Sequence, residues 1–152
     1  MIDDYLALIG SGVNPYEAAV EVWLVPYDEN DPLAVYKAKP GPQVINGAAA
    51  YYNLVTNGGI TGLFQNAPDE TKLAIDAMER LGFQVIADLS REALAIFGLP
   101  GVFSFDEYDI ASEKLTDADD EKLEQIDDEI LGSNFDHGFG DVLNRFILNN
   151  RN

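Results

Sequence analysis

Residues 43–66 read QVINGAAAYYNLVTNGGITGLFQN, and the spacing of side chains in this stretch decides the fold class. Val44, Ala48, Tyr51, Tyr52, Leu54 and Val55 recur at intervals that gather on one side of a helix and scatter over both faces of a strand. Asn57-Gly58-Gly59 then supplies the left-handed residue on which such a helix ends, and Ile60–Phe64 adds a short turn beyond it.

The same pattern extends outward in both directions. Downstream, Pro68-Asp69-Glu70 opens a helix with acids in its first turn and an apolar face of Leu73, Ile75, Ala77, Met78 and Leu81. Gly82 stops it. Phe83–Phe97 repeats the period through Val85, Ile86, Leu89, Ala93, Leu94 and Phe97 before Gly98 and Pro100 end it, which makes a helical hairpin. Thr116 with Asp119 resembles a capping box with Asp in place of Glu or Gln, and opens a helix over 117–131 that stops at Gly132. A last helix runs from about Gly140 to Asn149.

Upstream, Asn14-Pro15 caps a short helix that Pro26 breaks. Pro26, Pro32, Pro40 and Pro42 make the following stretch a long connection, with Leu33–Tyr36 a turn of helix or a short extended piece. Val102–Phe105 is the best extended segment and has no partner. The expectation is an all-α fold: a single compact domain of about six to seven helices with little or no sheet. An N-terminal helical segment and proline-rich connection (1–41) packs as one unit with a helical domain (42–152).

A chain of 152 residues, 47% of them hydrophobic, buries enough surface to fold unaided and is too apolar for a disordered segment. It has no Cys, so disulfides, thiolate metal sites and cysteine nucleophiles are excluded. Acids at Asp3 and Asp4, where a secretory signal carries positive charge, point to a cytoplasmic protein. Nine bases stand against 27 acids, a net charge of −18 that repels phosphate backbones and anionic lipid. Neither direct nucleic-acid binding nor a membrane is expected.

The acidity is uneven. Residues 1–40 carry two bases and seven acids, residues 41–100 three and six, and residues 101–152 four and fourteen. Twelve acids fall between 106 and 129, against only Lys114 and Lys122. Apolar residues are interleaved with them, so they are mounted on folded structure. On a wheel of residues 117–131, Leu123, Ile126 and Ile130 gather on one side and Asp117, Glu121, Glu124 and Asp128 on the other. Like charges one turn apart cost such a helix about 0.2–0.5 kcal/mol per pair. The stripe therefore works against its own helix, and a row of carboxylates every 5–6 Å or so resembles a sparse phosphate strand. The simpler readings are a solvated face or the general acidification of a salt-adapted proteome.

Catalytic chemistry finds little support. The one histidine, His137, lies in a loop and reads as a surface or capping residue, with no Gly-x-Ser-x-Gly elbow. The glycine-rich segments at Gly10-Ser11-Gly12 and 57–62 fit neither phosphate-binding pattern. Asp117, Asp119 and Glu121 sit at positions 1, 3 and 5 of a calcium loop, but Lys122 and Asp128 replace its required Gly and Glu. No enzymatic activity, metal or cofactor is expected.

Asn57-Gly58-Gly59 with Leu63-Phe64-Gln65-Asn66, the Ala74–Gly82 helix ending Arg80-Leu81-Gly82, Ile126-Asp127-Asp128 and the terminal Asp141–Asn149 resemble a bacterial family, mostly uncharacterised, that shares the domain of an acidic DNA-mimic protein. The resemblance spans about residues 42–149. It implies an all-helical domain without known catalytic residues and, for the characterised member, a dimer that occupies the DNA site of a transcription factor. A homodimer is thus left open here. Asn57, Gly58, Gly59, Gln65 and Asn66 enter as a structural motif.

The leading expectation is an acidic, DNA-mimicking inhibitor that binds a basic DNA-binding partner, a transcription factor or a nuclease, and blocks it. Its candidate contact residues are Asp106, Glu107, Asp109, Glu113, Asp117, Asp120, Glu121, Glu124 and Asp128. The alternative is an immunity or antitoxin-like protein that neutralises a toxin through an interface with an aromatic core. A third reading places a small-ligand site or enzyme near residues 57–66, against the plainer view that the amides there brace a helix turn.

Overall fold

Gly59 does not end the helix that starts at Pro40; it bends it. In the computed structural model, which describes residues 1–150, Pro40–Asn66 is one helical run interrupted at Gly59, where φ is 69° and ψ is −172°. The left-handed residue expected there is present, but the chain turns helical again at Ile60. The reason lies outside the segment: the Asp127 carboxylate accepts the Ile60 N–H at 2.7 Å and restarts the ladder.

Eight helices form in chain order: α1 (Ile2–Gly10), α2 (Pro15–Trp23), α3 (Pro40–Asn66), α4 (Thr71–Arg80), α5 (Gln84–Phe97), α6 (Phe105–Glu113), α7 (Asp117–Gly132) and α8 (Phe139–Asn149). Single 3₁₀ turns cover Ala34–Lys37 and Pro68–Glu70, and no strand occurs among the described residues. The fold is all-α. Two helices were not anticipated from the pattern. In α1, Asp3 and Asp4 occupy the first turn and Tyr5 is fully buried. In α6 no residue is fully buried and only Tyr108 and Ala111 pack partly against the core, so the period is weak; the clear signal is the Ser104/Glu107 capping box. The extended reading of Val102–Phe105 gives way accordingly: Phe103 is buried against Phe64, Ser104 is the N-cap and Phe105 begins the helix.

The long helix is the spine. α4 packs along it, α5 turns back from α4 through Gly82 (φ 95°), and α7 lies against α5 and the kinked end of α3. α1 packs on α2, and α2 on α3 and α8. The N-terminal helices join the same core through polar clasps. Asn46 is buried, accepts the Val25 N–H at 2.7 Å and donates to the carbonyls of Trp23 and Pro42. The Tyr5 hydroxyl donates to Asn144 Oδ1 at 2.6 Å. Deeper in, the Ser90 hydroxyl donates to the Ile86 carbonyl, so the Tyr51 hydroxyl is the donor in its 2.8 Å bond to Ser90. Aromatic rings knit the helices together: Tyr52 stacks on Phe139 with centroids 5.0 Å apart, and Phe139 on Phe83 at 6.1 Å.

Two glycines set these approaches. A Cβ on Gly47 would meet the Leu73 carbonyl and stand 2.8 Å from Ala77 Cβ, so glycine is what lets α3 and α4 close together. A Cβ on Gly59 would stand 2.6 Å from Asp127 Oδ2 in a conformation that L side chains avoid. Gly47→Ala is expected to lose about 1–3 kcal/mol by forcing the helices apart. Gly59→Ala is expected to lose at least as much, from about 1–3 kcal/mol of backbone strain together with displacement of the Asp127 cap. Chemical denaturation of the two variants checks both; unchanged midpoints would show that neither approach constrains the fold.

Candidate protein-binding surface

The acidic surface is built on two capped helices. Ser104 accepts the Glu107 N–H at 3.1 Å while Glu107 accepts the Ser104 N–H at 3.2 Å, starting α6. Thr116 and Asp119 exchange the same pair of bonds, at 3.1 and 3.0 Å, starting α7. These bonds hold the Asp119 carboxyl below the usual range, the Thr116 N–H contributing most. α7 is then fixed by one apolar edge: Leu123, Ile126 and Ile130 are buried, as the wheel requires.

All nine candidate acids are exposed: Asp106, Glu107, Asp109 and Glu113 on α6, and Asp117, Asp120, Glu121, Glu124 and Asp128 on α7. Glu107 differs from the rest because its carboxylate is drawn back onto the Ser104 N–H as a cap. Among the described residues, none of the twelve acids from 106 to 129 lies within 4.0 Å of a Lys or Arg nitrogen, although Lys114 and Lys122 share the helices. Elsewhere a few acids are matched. Arg91 reaches Asp76 at 3.2 Å and Glu79 at 2.9 Å across the α4–α5 hairpin, and Lys37 reaches Asp31 at 2.8 Å.

Apolar side chains stand among the acids of α6. Phe105 is 53% exposed and Ile110 55% exposed, while Tyr108 faces inward and stacks on Phe97 at 5.5 Å. Tyr108 thereby ties the helix to α5, while Phe105 and Ile110 are left exposed at different angles around it.

The remaining motif residues are local braces. Asn57 Nδ2 donates to the Asn53 carbonyl at 2.6 Å and Asn66 Nδ2 to the Gly62 carbonyl at 2.8 Å, while Gly58 and Gln65 are exposed. The side-chain donors of both asparagines thus go to the helix itself. His137 is exposed in the turn before α8. Among the described residues no cluster of three or more His, Asp or Glu is arranged to hold a metal ion, and no helix is long and apolar enough to cross a membrane.

Asp127, absent from the candidate contacts, has the most specific role in the run. Its phase gives it away: it falls beside Leu123, Ile126 and Ile130 on the buried edge of α7. Burial pushes its carboxyl above the usual Asp range, the bond from Ile60 opposes that rise, and the Asp128 charge adds to it. An acid whose folded pKa is raised binds its proton more readily folded than unfolded. Its contribution to stability therefore falls as pH rises through the interval between the ordinary Asp value and the raised folded one. Asp127→Asn keeps an acceptor for Ile60 without the charge, so it is expected to match the native protein in acid and equal or exceed it at neutral pH. Asp127→Ala orphans the Ile60 N–H and is expected to lose about 1–3 kcal/mol at every pH. Denaturation midpoints of both variants from pH 4 to 8 or so check the sign; an Asn variant that weakens as pH rises would reverse it.

Neither the curated proteins nor the solved structures contain a match to the chain. A family model does match, over residues 37–150, which takes in α3 to α8 and with them the kink, the Asp127 cap and the whole acidic surface: the chain belongs to the family described as DMP19-like protein.

Proposed function

We propose that the chain is an acidic inhibitor that binds a basic, DNA-binding protein and blocks its DNA site with the α6–α7 surface. The observation that carries this reading is the contrast in pairing. Lys37, Lys72 and Arg91 are set against acids, whereas the nine candidate acids of α6 and α7 stand exposed and, among the described residues, none lies within 4.0 Å of a Lys or Arg nitrogen. Overall acidification for solubility gives no reason for that separation. Like charges along α7 weaken the helix, and a function that needs an anionic face supplies the reason to keep them.

The exposed Phe105 and Ile110 favour a second, related reading: an immunity-like protein that neutralises a toxin through an interface with an aromatic centre and a charged rim. A pure phosphate mimic has no use for apolar side chains at its surface. The two readings differ in what competes for the partner.

The test uses the native protein and a variant carrying Asp117→Asn, Glu121→Gln, Glu124→Gln and Asp128→Asn as paired baits. The expected result is that the native bait captures a basic protein, that duplex DNA displaces it, and that the variant binds at least about tenfold more weakly with a shallower salt dependence. Capture that DNA cannot displace, and that Phe105→Ala with Ile110→Ala abolishes, selects the toxin reading. Equal binding by both baits, insensitive to salt, would make the stripe a solvated face.

A further inference from the structure

At the start of α3, far from the acidic surface, Lys39 and Arg80 line a hollow of about 580 Å³ formed where α2 ends, α3 begins, α4 ends and α8 passes. Its walls include Trp23, Ile45 and Phe146, and among the described residues no Asp or Glu lines it. In a chain with three acids for every base, this is a place from which acids are kept away. Lys37, Lys72 and Arg91 hold ion pairs, while among the described residues neither Lys39 nor Arg80 lies within 4.0 Å of a carboxylate.

The start of α3 also breaks a local rule. A helix N-terminus favours an acidic or hydroxyl cap, yet Lys39 stands at the N-cap of this long helix and no side chain caps it. Pro40 and Pro42 have no N–H, and the N–H of Gly41, on the wall of the hollow, has no acceptor inside the helix. The charged side chains here are both cations, and Asn150 is the one neutral polar side chain among the described lining residues. Gly41 and Gly59 are separated by 18 residues of helix, roughly 27 Å, so salt screens the α7 acids from the hollow.

We infer that this hollow binds a small organic acid, its carboxylate held by Lys39 and Arg80 and its apolar body covering Trp23 and Phe146. The volume lies within the usual range of small-molecule sites. A bare inorganic anion would leave the aromatic wall wet, and a neutral apolar molecule would leave both cations unused. A second copy offering its acidic helix is disfavoured by the mutual repulsion of two chains at −18 each. The inference does not rest on the reading of the α6–α7 surface and stands or falls separately.

Trp23 is the chain's sole tryptophan and lines the hollow, so its fluorescence reports on this site. The experiment titrates the full chain with phenylacetate, with the neutral 2-phenylethanol, and with acetate and inorganic phosphate at constant ionic strength. Phenylacetate is expected to give a saturable change with a Kd on the order of 1 mM, a reasonable affinity for so small a molecule. The neutral alcohol, and phenylacetate with the Lys39→Gln, Arg80→Gln variant, are each expected to bind about tenfold more weakly or worse. Circular dichroism of the variant separates lost binding from lost fold, and the single Lys39→Gln and Arg80→Gln chains replace it if the double variant unfolds. The inference is overturned by equal binding of the alcohol, by phosphate or acetate binding as well as phenylacetate, by a folded variant that binds unchanged, or by no saturable change.

Discussion

The hydrogen bond from the Ile60 N–H to Asp127 joins the two halves of this structure. It caps the restarted helix, and so fixes the direction in which Ile60, Leu63 and Phe64 enter the core, where all three are fully buried. The same contact pins α7, which has little else to recommend it as a helix. Its first turn carries Asp117, Asp119 and Asp120, and its exposed face repeats like charges at three- and four-residue spacing. The buried edge of Leu123, Ile126 and Ile130, the Thr116 box and Asp127 oppose that repulsion. Of the twelve acids in the run, the one that faces inward therefore helps hold the outward-facing ones in place.

That division of labour explains why the surface has so sharp a sign. Glu107, Asp119 and Asp127 bond backbone N–H groups, and among the described residues the carboxylates beyond them form no ion pair. Moving Lys72 or Arg91 onto α6 or α7 would relieve the repulsion at once, yet those bases sit at the α4–α5 hairpin, where exposed ion pairs contribute little to stability. A charge arrangement that forgoes an easy relief is better explained by what it meets than by what it stabilises.

Much of this was legible in the sequence, and the failures have physical causes. Helices with one buried stripe, α4, α5, α7 and α8, announced themselves by period, and Asn14, Thr116, Gly82 and Gly98 marked ends that the structure keeps. The acids of 106–129 were legible as a surface because their phase opposes the buried residues of α7. α6 was not, since its inward residues Tyr108 and Ala111 are only partly buried and the exposed Phe105 and Ile110 blur the stripe they make. Gly59 was read as a stop because the residue that makes it a kink is 67 positions away. A glycine's conformation is local information, but whether the helix resumes depends on an acceptor that only the tertiary fold delivers. The hollow beside Lys39 was hidden for the same reason: Trp23, Arg80 and Phe146 come from three helices, and nothing in their spacing relates them.

The long helix begins twice, and the two beginnings are treated oppositely. At Ile60 the free N–H is met by a carboxylate, Asp127, from another helix. At Pro40 the flanking residue is a lysine, two prolines have removed N–H groups, and no Asp or Glu among the described residues lines the hollow. Both ends present the same positive dipole, so the difference comes from what the sequence places around them. An acid at residue 39 would have closed the first end as Asp127 closes the second, by a single substitution in a protein otherwise rich in acids. Its absence leaves one start of α3 satisfied internally and the other without a side-chain cap. That asymmetry is the physical basis for expecting an anion at the Pro40 end and none at the kink.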